Sequence, residues 1–126
     1  MNSLNQEIQA IVRAVSSVRV PAMPGEYDLH AEVSDALTRA GIGHAHEYRL
    51  APRCRIDFLA GRVGIEIKKG RPVPSALRTQ LAKYLQSDEL SAIIVISQQA
   101  VPLPQTIGGK PVHLISLNRL WGVALP

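Results

Sequence analysis

Residues 55–70, RIDFLAGRVGIEIKKG, constrain the fold of this chain more than any other stretch. Their pattern predicts two short β-strands, over residues 55–60 and 63–69, joined by a tight turn. Gly61 and Arg62 form the turn, where glycine tolerates a positive φ. A turn this short makes the two strands antiparallel neighbours and fixes which of their residues lie opposite each other.

The register places two acidic side chains opposite each other. Ala60 pairs with Val63 across the turn, and counting back from that pair sets Asp57 opposite Glu66. Side chains alternate between the two faces of a strand, so Lys68 shares the face of Glu66. The other face is predicted to be apolar and consists of Ile56, Phe58, Val63, Ile65 and Ile67.

Two carboxylates directly across a ladder repel each other, which destabilises the pair unless a cation lies between them. Asp57, Glu66 and Lys68 are therefore the polar groups expected of a metal-assisted phosphodiesterase. A solvated face on a two-stranded ribbon explains the same alternation, because charged side chains are common on half-exposed sheets. The hairpin by itself leaves both interpretations open.

Composition favours one domain with a polyanionic partner. The chain has 126 residues, 46% of them hydrophobic, which is enough for the core of a single domain. Fourteen Lys and Arg against ten Asp and Glu give a net charge of +4, which suits nucleic acid without requiring it.

The single cysteine, Cys54, excludes an internal disulfide and fits a reducing compartment. No membrane span or secretory signal is visible, so we expect a cytoplasmic protein.

Apolar periodicity predicts helices and strands in the order α, α, β, β, β, α, β, β. Helices are predicted at residues 3–18, from 26 or 27 to 40, and from 75 to 86, with Ser3 and Gln6 as a capping box and Ser75 as an N-cap. Besides the hairpin, strands are predicted at 44–50, 91–97 and 112–117. A helix between the hairpin and strand 91–97 implies that these strands run parallel. We therefore expect an α/β domain with a mixed β-sheet flanked by helices.

Polar side chains on two of the helices can face the hairpin. Glu32 lies at the edge of the apolar stripe of the second helix, from which it can reach Asp57 or pair with a neighbour. Gln80 and Tyr84 are four residues apart on the third helix, so both point the same way. The apolar stripe of the first helix buries either against the domain or against a second subunit.

The strand before the hairpin carries two histidines and a further carboxylate. His44 and His46 alternate and share one face, and Glu47 lies on the other. A zinc site needs further ligands nearby, and the sequence assigns none. We therefore interpret the histidines as polar strand positions or phosphate contacts rather than as metal ligands.

This combination resembles the PD-(D/E)XK nuclease superfamily, which has the restriction-endonuclease-like fold. Asp57 followed by Glu66-Ile67-Lys68 resembles the family's acidic residue and its (D/E)-X-K motif, and Glu32 corresponds to a glutamate on the preceding helix. The stretch Gln80-Leu81-Ala82-Lys83-Tyr84 resembles the QxxxY element of the RecB-like and Holliday-junction-resolvase-like branches. Ile56 stands at the motif's variable proline position. The resemblance covers roughly residues 26–97 of a single domain spanning 1–126, and leaves helix 1–20 outside it.

The resemblance implies hydrolysis of phosphodiester bonds in DNA, directed by DNA structure rather than sequence, in a bacterial or phage setting. Asp57 and Glu66, with Glu32 and the Ile67 carbonyl, would bind Mg²⁺, for which Mn²⁺ can substitute. Lys68 would orient the attacking water or neutralise charge on the phosphate, assisted by Gln80 and Tyr84. The DNA phosphates would be held by four basic residues, Arg55, Lys69, Arg71 and Arg78.

Two other functions stay open at this point. One is a nucleic-acid-binding module on the same fold that does not cleave. The other is a metal-stabilised interaction protein that forms a homodimer through its first helix. The complete set of polar residues favours the enzyme over both.

Overall fold

Helices cover both faces of a mixed β-sheet in the computed structural model, which describes residues 3–18 and 28–120, the last two of these without their side chains. The helices are α1 (Leu4–Val15), α2 (Leu29–Arg39), α3 (Pro74–Leu85) and the short α4 (Leu117–Leu120). The strands are β1 (Ala45–Ala51), β2 (Cys54–Ala60), β3 (Val63–Lys68), β4 (Ala92–Ser97), β5 (Thr106–Ile107) and β6 (Lys110–Ser116). The predicted start of the second helix, at 26 or 27, lies outside the described residues.

The predicted α/β class and mixed sheet are confirmed, with two short elements added. β5 lies within the segment between the last two predicted strands, and α4 follows directly after β6. The sheet has six strands in the order β1-β2-β3-β4-β6-β5. β1, β2 and β3 pair antiparallel, whereas β3, β4 and β6 pair parallel, as the crossover through α3 requires.

Local sequence explains how the helices begin. The Ser3 hydroxyl accepts from the Gln6 N–H at 3.1 Å while the Gln6 side chain accepts from the Ser3 N–H at 2.8 Å, so the predicted capping box is present. The prediction of Ser75 as an N-cap is wrong, because α3 begins one residue earlier, at Pro74. Proline suits the first turn of a helix, since its φ is already helical and its missing N–H is not needed there.

The hairpin lies inside the sheet rather than at a solvated surface. β3 pairs with β2 on one side and β4 on the other, and Glu66 in β3 is only 4% exposed. The solvated-ribbon interpretation is therefore wrong. β4 is buried along its whole length, as its continuous apolar sequence predicts.

Two apolar clusters fill the spaces between helices and sheet. α1 and α2 pack on one face, against residues that include Phe58 and Ile65, and α3 packs on the other, against Ile56 and Ile93. The apolar side chains of α1 are buried in the first cluster. Of the two alternatives for α1, the structure shows burial within the domain.

The alternation of β2 side chains between the two faces of the sheet is interrupted at Asp57. Phe58 lies in the cluster under α2, whereas Ile56, two residues earlier, lies in the cluster under α3. Strict alternation would put both on one face. The prediction that Ile56 shares the apolar face of Phe58, Val63, Ile65 and Ile67 is therefore wrong, although the other four do share it.

A left-handed residue of β1 lies opposite this point. Glu47 has a φ of +52°, in the left-handed region, and lies between the paired residues His46↔Phe58 and Tyr48↔Ile56. A left-handed residue rotates the chain and interrupts the alternation of side chains. Asp57, which the register places across from Glu47, consequently lies where the two faces meet.

Gly64 in β3 allows Ile56 to pack on the face of α3. A Cβ atom at position 64 would lie 2.5 Å from Ile56 Cδ1 and 3.1 Å from Leu90 Cδ2. We expect Gly64→Ala to lower the free energy of unfolding by about 1–3 kcal/mol, measured by urea denaturation. Gly43→Ala is the matched control, because a Cβ there meets nothing within 4 Å. Equal stability of the two variants would contradict this packing.

Candidate functional site

Asp57 is tied by its side chain to the neighbouring strand. Its Oδ2 accepts a hydrogen bond of 2.8 Å from the Ile67 N–H. The backbone pairing of β2 with β3 follows the predicted register from Ala60↔Val63 to Phe58↔Ile65 and ends there. The Asp57 carboxylate thus bridges the two strands just where their ladder stops.

Glu66 is held beside Asp57 by three further contacts. Its Oε1 accepts from the Asp57 N–H at 3.3 Å. Its Oε2 lies 3.3 Å from the Tyr84 hydroxyl and 3.2 Å from Lys68 Nζ. The predicted neighbours Asp57, Glu66 and Lys68 therefore form one cluster at the sheet, and Glu66 is its buried centre.

Tyr84 and Gln80 extend this cluster into α3. Gln80 Nε2 donates to the Tyr84 hydroxyl at 3.0 Å. That hydroxyl, with one hydrogen to donate, has two acceptors, the Arg55 carbonyl at 3.1 Å and Glu66 Oε2 at 3.3 Å. Burial and the nearby charge of Glu66 raise the pKa of Tyr84, so the phenol stays protonated as a donor. The predicted alignment of Gln80 with Tyr84 is present, and it leads to Glu66.

The surroundings of Glu66 bring its ionisation close to neutral pH. Burial, followed by the negative charge of Asp57, raises the pKa of Glu66 to about 7, although Lys68 opposes the shift. The carboxylate pair therefore carries charge that the protein alone does not fully compensate. A cation beside the two carboxylates would favour the ionised form.

His30, rather than Glu32, is the residue of α2 that reaches Asp57. His30 Nε2 lies 3.9 Å from Asp57 Oδ2. The Glu32 side chain makes no hydrogen bond or ion pair with any residue in the described ranges. At 100° per residue, the two side chains lie on opposite edges of the buried stripe that contains Val33 and Leu37. The structure therefore does not bring Glu32 to the site as the sequence predicts.

The imidazole rings of three histidines contact the ring of Phe58. His46 stacks on Phe58 with ring centroids 4.7 Å apart, and its Nε2 lies 3.1 Å from His30 Nδ1. His44 meets the edge of Phe58 and is held by the Ser34 hydroxyl at 2.8 Å. His46 thus fixes the ring of His30, while His44 belongs to the packing between α2 and β1. The sequence contains one signal for His30: it precedes the apolar Val33 by three residues, a spacing that puts both side chains on the same face of α2.

The four predicted phosphate contacts are all exposed but point in different directions. Lys69 and Arg71 follow Lys68 in the chain, directly after the end of β3. Arg55 lies 4.0 Å from Glu47 across the β1–β2 pair. Arg78 lies on the opposite edge of the buried stripe of α3 from Gln80. Of the four, Lys69 and Arg71 are the nearest to Lys68 along the chain.

The carboxylate pair fits a cation that prefers oxygen ligands. Mg²⁺ is usually held by one or two carboxylates together with waters and substrate phosphate, so it does not need a larger protein cage. Within residues 3–18 and 28–120, no group of three or more His, Cys, Asp and Glu is arranged to hold a metal. Asp57 and Glu66 are the residues that could hold such a cation, together with waters and a substrate phosphate.

Comparison with protein-family models, with curated proteins and with solved structures found no match. In the part of the chain that the structure describes, no helix has the length and apolar character needed to cross a membrane.

The raised pKa of Glu66 predicts how stability depends on pH. The folded protein holds the proton more tightly than the unfolded chain, so the free energy of unfolding falls as pH rises from the ordinary glutamate range through about 7. In EDTA, we expect wild type to lose on the order of 2 kcal/mol relative to Glu66→Gln across that range. Urea denaturation at a series of pH values measures this. Parallel curves for the two proteins would show that Glu66 is not the group responsible.

Proposed function

We propose that this chain is a metal-dependent nuclease that hydrolyses phosphodiester bonds in DNA, on a restriction-endonuclease-like fold. One observation carries the proposal. The half-buried Asp57 carboxylate lies beside the buried Glu66 carboxylate, and Lys68 Nζ is 3.2 Å from Glu66 Oε2. Buried like charges destabilise a fold, and functional sites are where they are usually found. The order α2-β1-β2-β3-α3-β4, which is that of the family's core, supports the same assignment.

Asp57 and Glu66 would hold the cation, with the Ile67 carbonyl as a further oxygen beside them. A bound Mg²⁺ or Mn²⁺ would supply Lewis-acid stabilisation of charge on the phosphate and on its leaving oxygen. The Ile67 N–H orients Asp57, and the Asp57 N–H orients Glu66. These backbone bonds fix both carboxylates before any ligand arrives, which limits the reorganisation that binding requires.

Lys68 acts on the phosphate. In hydrolysis the oxygen of a water molecule forms a bond to phosphorus, the phosphorus–oxygen ester bond breaks, and the leaving oxygen takes up a proton. Lys68 Nζ, close to Glu66 Oε2, is placed to offset the negative charge that develops on the phosphate. Tyr84 and Gln80 keep Glu66 oriented from the side of α3.

His30 takes the position that the resemblance assigns to Glu32. Its Nε2 approaches Asp57 Oδ2 from α2, and its Nδ1 lies 3.1 Å from His46 Nε2, which fixes the ring. We assign to His30 the role of a third group that orients Asp57. Lys69 and Arg71 would hold the DNA backbone beside Lys68, which makes binding depend on salt rather than on sequence.

Substitution of the cluster tests the proposal. We expect Asp57→Asn and Lys68→Ala to slow cleavage of DNA in Mn²⁺ by at least about a hundredfold, because each removes a group that acts on the reacting phosphate. The affinity of Asp57→Asn for DNA in EDTA should stay within a few-fold of wild type, because Asp57 does not line the phosphate-binding surface. Lys69→Ala, adjacent and exposed, is the control and should weaken binding more than it slows cleavage at saturating DNA. Full cleavage by Asp57→Asn would exclude this site.

A pair of variants on α2 tests the role of His30. We expect His30→Ala to slow cleavage by roughly 10- to 100-fold, as for groups that orient a metal ligand, and Glu32→Ala to change it less than twofold. Both substitutions are alanine and lie two residues apart, so helix propensity affects them alike. A larger loss of cleavage in Glu32→Ala than in His30→Ala would show that Glu32, and not His30, belongs to the site.

The non-catalytic alternative predicts a different result. A panel of linear, flapped, four-way and single-stranded DNA, incubated with Mg²⁺ or Mn²⁺, separates the two functions. DNA binding without cleavage of any of these substrates would favour the binding module.

A further inference from the structure

An open groove runs along the α3 side of the proposed site. It has a volume of about 420 Å³. Its walls are formed by Lys68, Pro72, Val73, Ala76, Leu77 and Gln80. Lys68 also contacts Glu66, and Gln80 also contacts Tyr84, so one end of the groove coincides with the carboxylate cluster.

The lining combines an apolar wall with a cationic end. Pro72, Val73, Ala76 and Leu77 present hydrocarbon, while Lys68 supplies a positive charge and Gln80 an amide. No Asp or Glu lines the groove. Exposed Lys69 and Arg71 precede Pro72 in the chain and add positive charge near its mouth. A ligand that is anionic at one end and apolar on one face matches this surface.

Val73 is held in solvent at the rim. It is 63% exposed and is the one large apolar side chain among the described residues with such exposure. Pro72 and Pro74 on either side fix their own φ angles and restrict the backbone of Val73. Ordering an apolar side chain on a rigid surface reduces the entropic cost of binding a partner there.

A nucleotide whose base is unpaired satisfies these conditions. Its phosphate would lie at Lys68, and its sugar and base would pack on the hydrocarbon wall. The volume is in the range of sites that hold one small molecule. A paired base is stacked between its neighbours and must leave the duplex before its faces can be contacted. The wall is hydrocarbon apart from Lys68 and Gln80, so it would contact mainly the faces of the sugar and base, which every nucleotide presents.

We propose that this groove binds an unpaired nucleotide of the substrate strand next to the phosphate to be cleaved, so that the enzyme selects single-stranded or flapped DNA over blunt duplex. The position of that phosphate rests on the proposed nuclease function. The apolar wall and its occupant can be tested by binding alone.

Two variants change the groove without touching the carboxylate cluster. Ala76→Phe fills it, and Val73→Glu places a negative charge on its exposed rim. Thr79→Phe is the matched control, since Thr79 is an exposed residue of the same helix that does not line the groove. Fluorescence anisotropy in EDTA would compare a labelled oligothymidine with a blunt duplex of the same length. Thermal denaturation would check that each variant is folded.

We expect wild type to bind the oligothymidine more tightly than the duplex. We expect both groove variants to weaken that binding by roughly tenfold or more, and Thr79→Phe to leave it unchanged. Because Val73 is exposed, Val73→Glu keeps the test valid if Ala76→Phe does not fold. Equal affinity for the two DNAs, or wild-type affinity in both folded groove variants, would overturn the proposal.

Cleavage in Mn²⁺ separates this inference from the proposed function. Equal cleavage of blunt duplex and flapped DNA, unchanged in Val73→Glu, would support the nuclease and overturn the selection of substrate by the groove. Absence of cleavage with groove-dependent binding of single strands would support the groove and overturn the nuclease.

Discussion

The site depends on the repulsion between two carboxylates that the fold holds side by side. Asp57 and Glu66 cannot separate, because backbone N–H groups of the opposite strand hold each side chain. Lys68 compensates part of the charge, and burial with the charge of Asp57 still raises the pKa of Glu66 to about 7. A protein can tolerate such a pair when a ligand supplies the missing positive charge. The proposed cation and phosphate chemistry rest on this constraint, and the donors on α3 help to hold Glu66 within it.

Most of this cluster could be predicted from the sequence, because short-range geometry determines it. A two-residue turn at Gly61 and Arg62 leaves one register, and that register brings Asp57 to Glu66. The spacing of Gln80 and Tyr84 on a helix likewise fixes their common direction. The mixed sheet follows from the crossover helix between β3 and β4, which requires a parallel pair.

The choice between His30 and Glu32 and the face of Ile56 depend on tertiary contacts, which the spacing of residues along the chain does not determine. The buried stripe of α2 has two edges, and which edge faces β2 decides between His30 and Glu32. The sequence shows the stripe but not its orientation. The change of faces at Asp57 depends on the left-handed backbone of Glu47, for which glycine or asparagine would have been the usual signal. Alternation alone therefore predicts the wrong face for Ile56.

Cation binding at the carboxylate pair is the claim on which the proposed function depends. Titration of Mn²⁺ by isothermal calorimetry at pH 7, in two buffers with different ionisation enthalpies, measures both the binding and the protons released. Since the pKa of Glu66 is about 7, we expect binding to release a fraction of a proton. We also expect Asp57→Asn to abolish binding. No binding by wild type, or equal binding by Asp57→Asn, would contradict a cation site at Asp57 and Glu66.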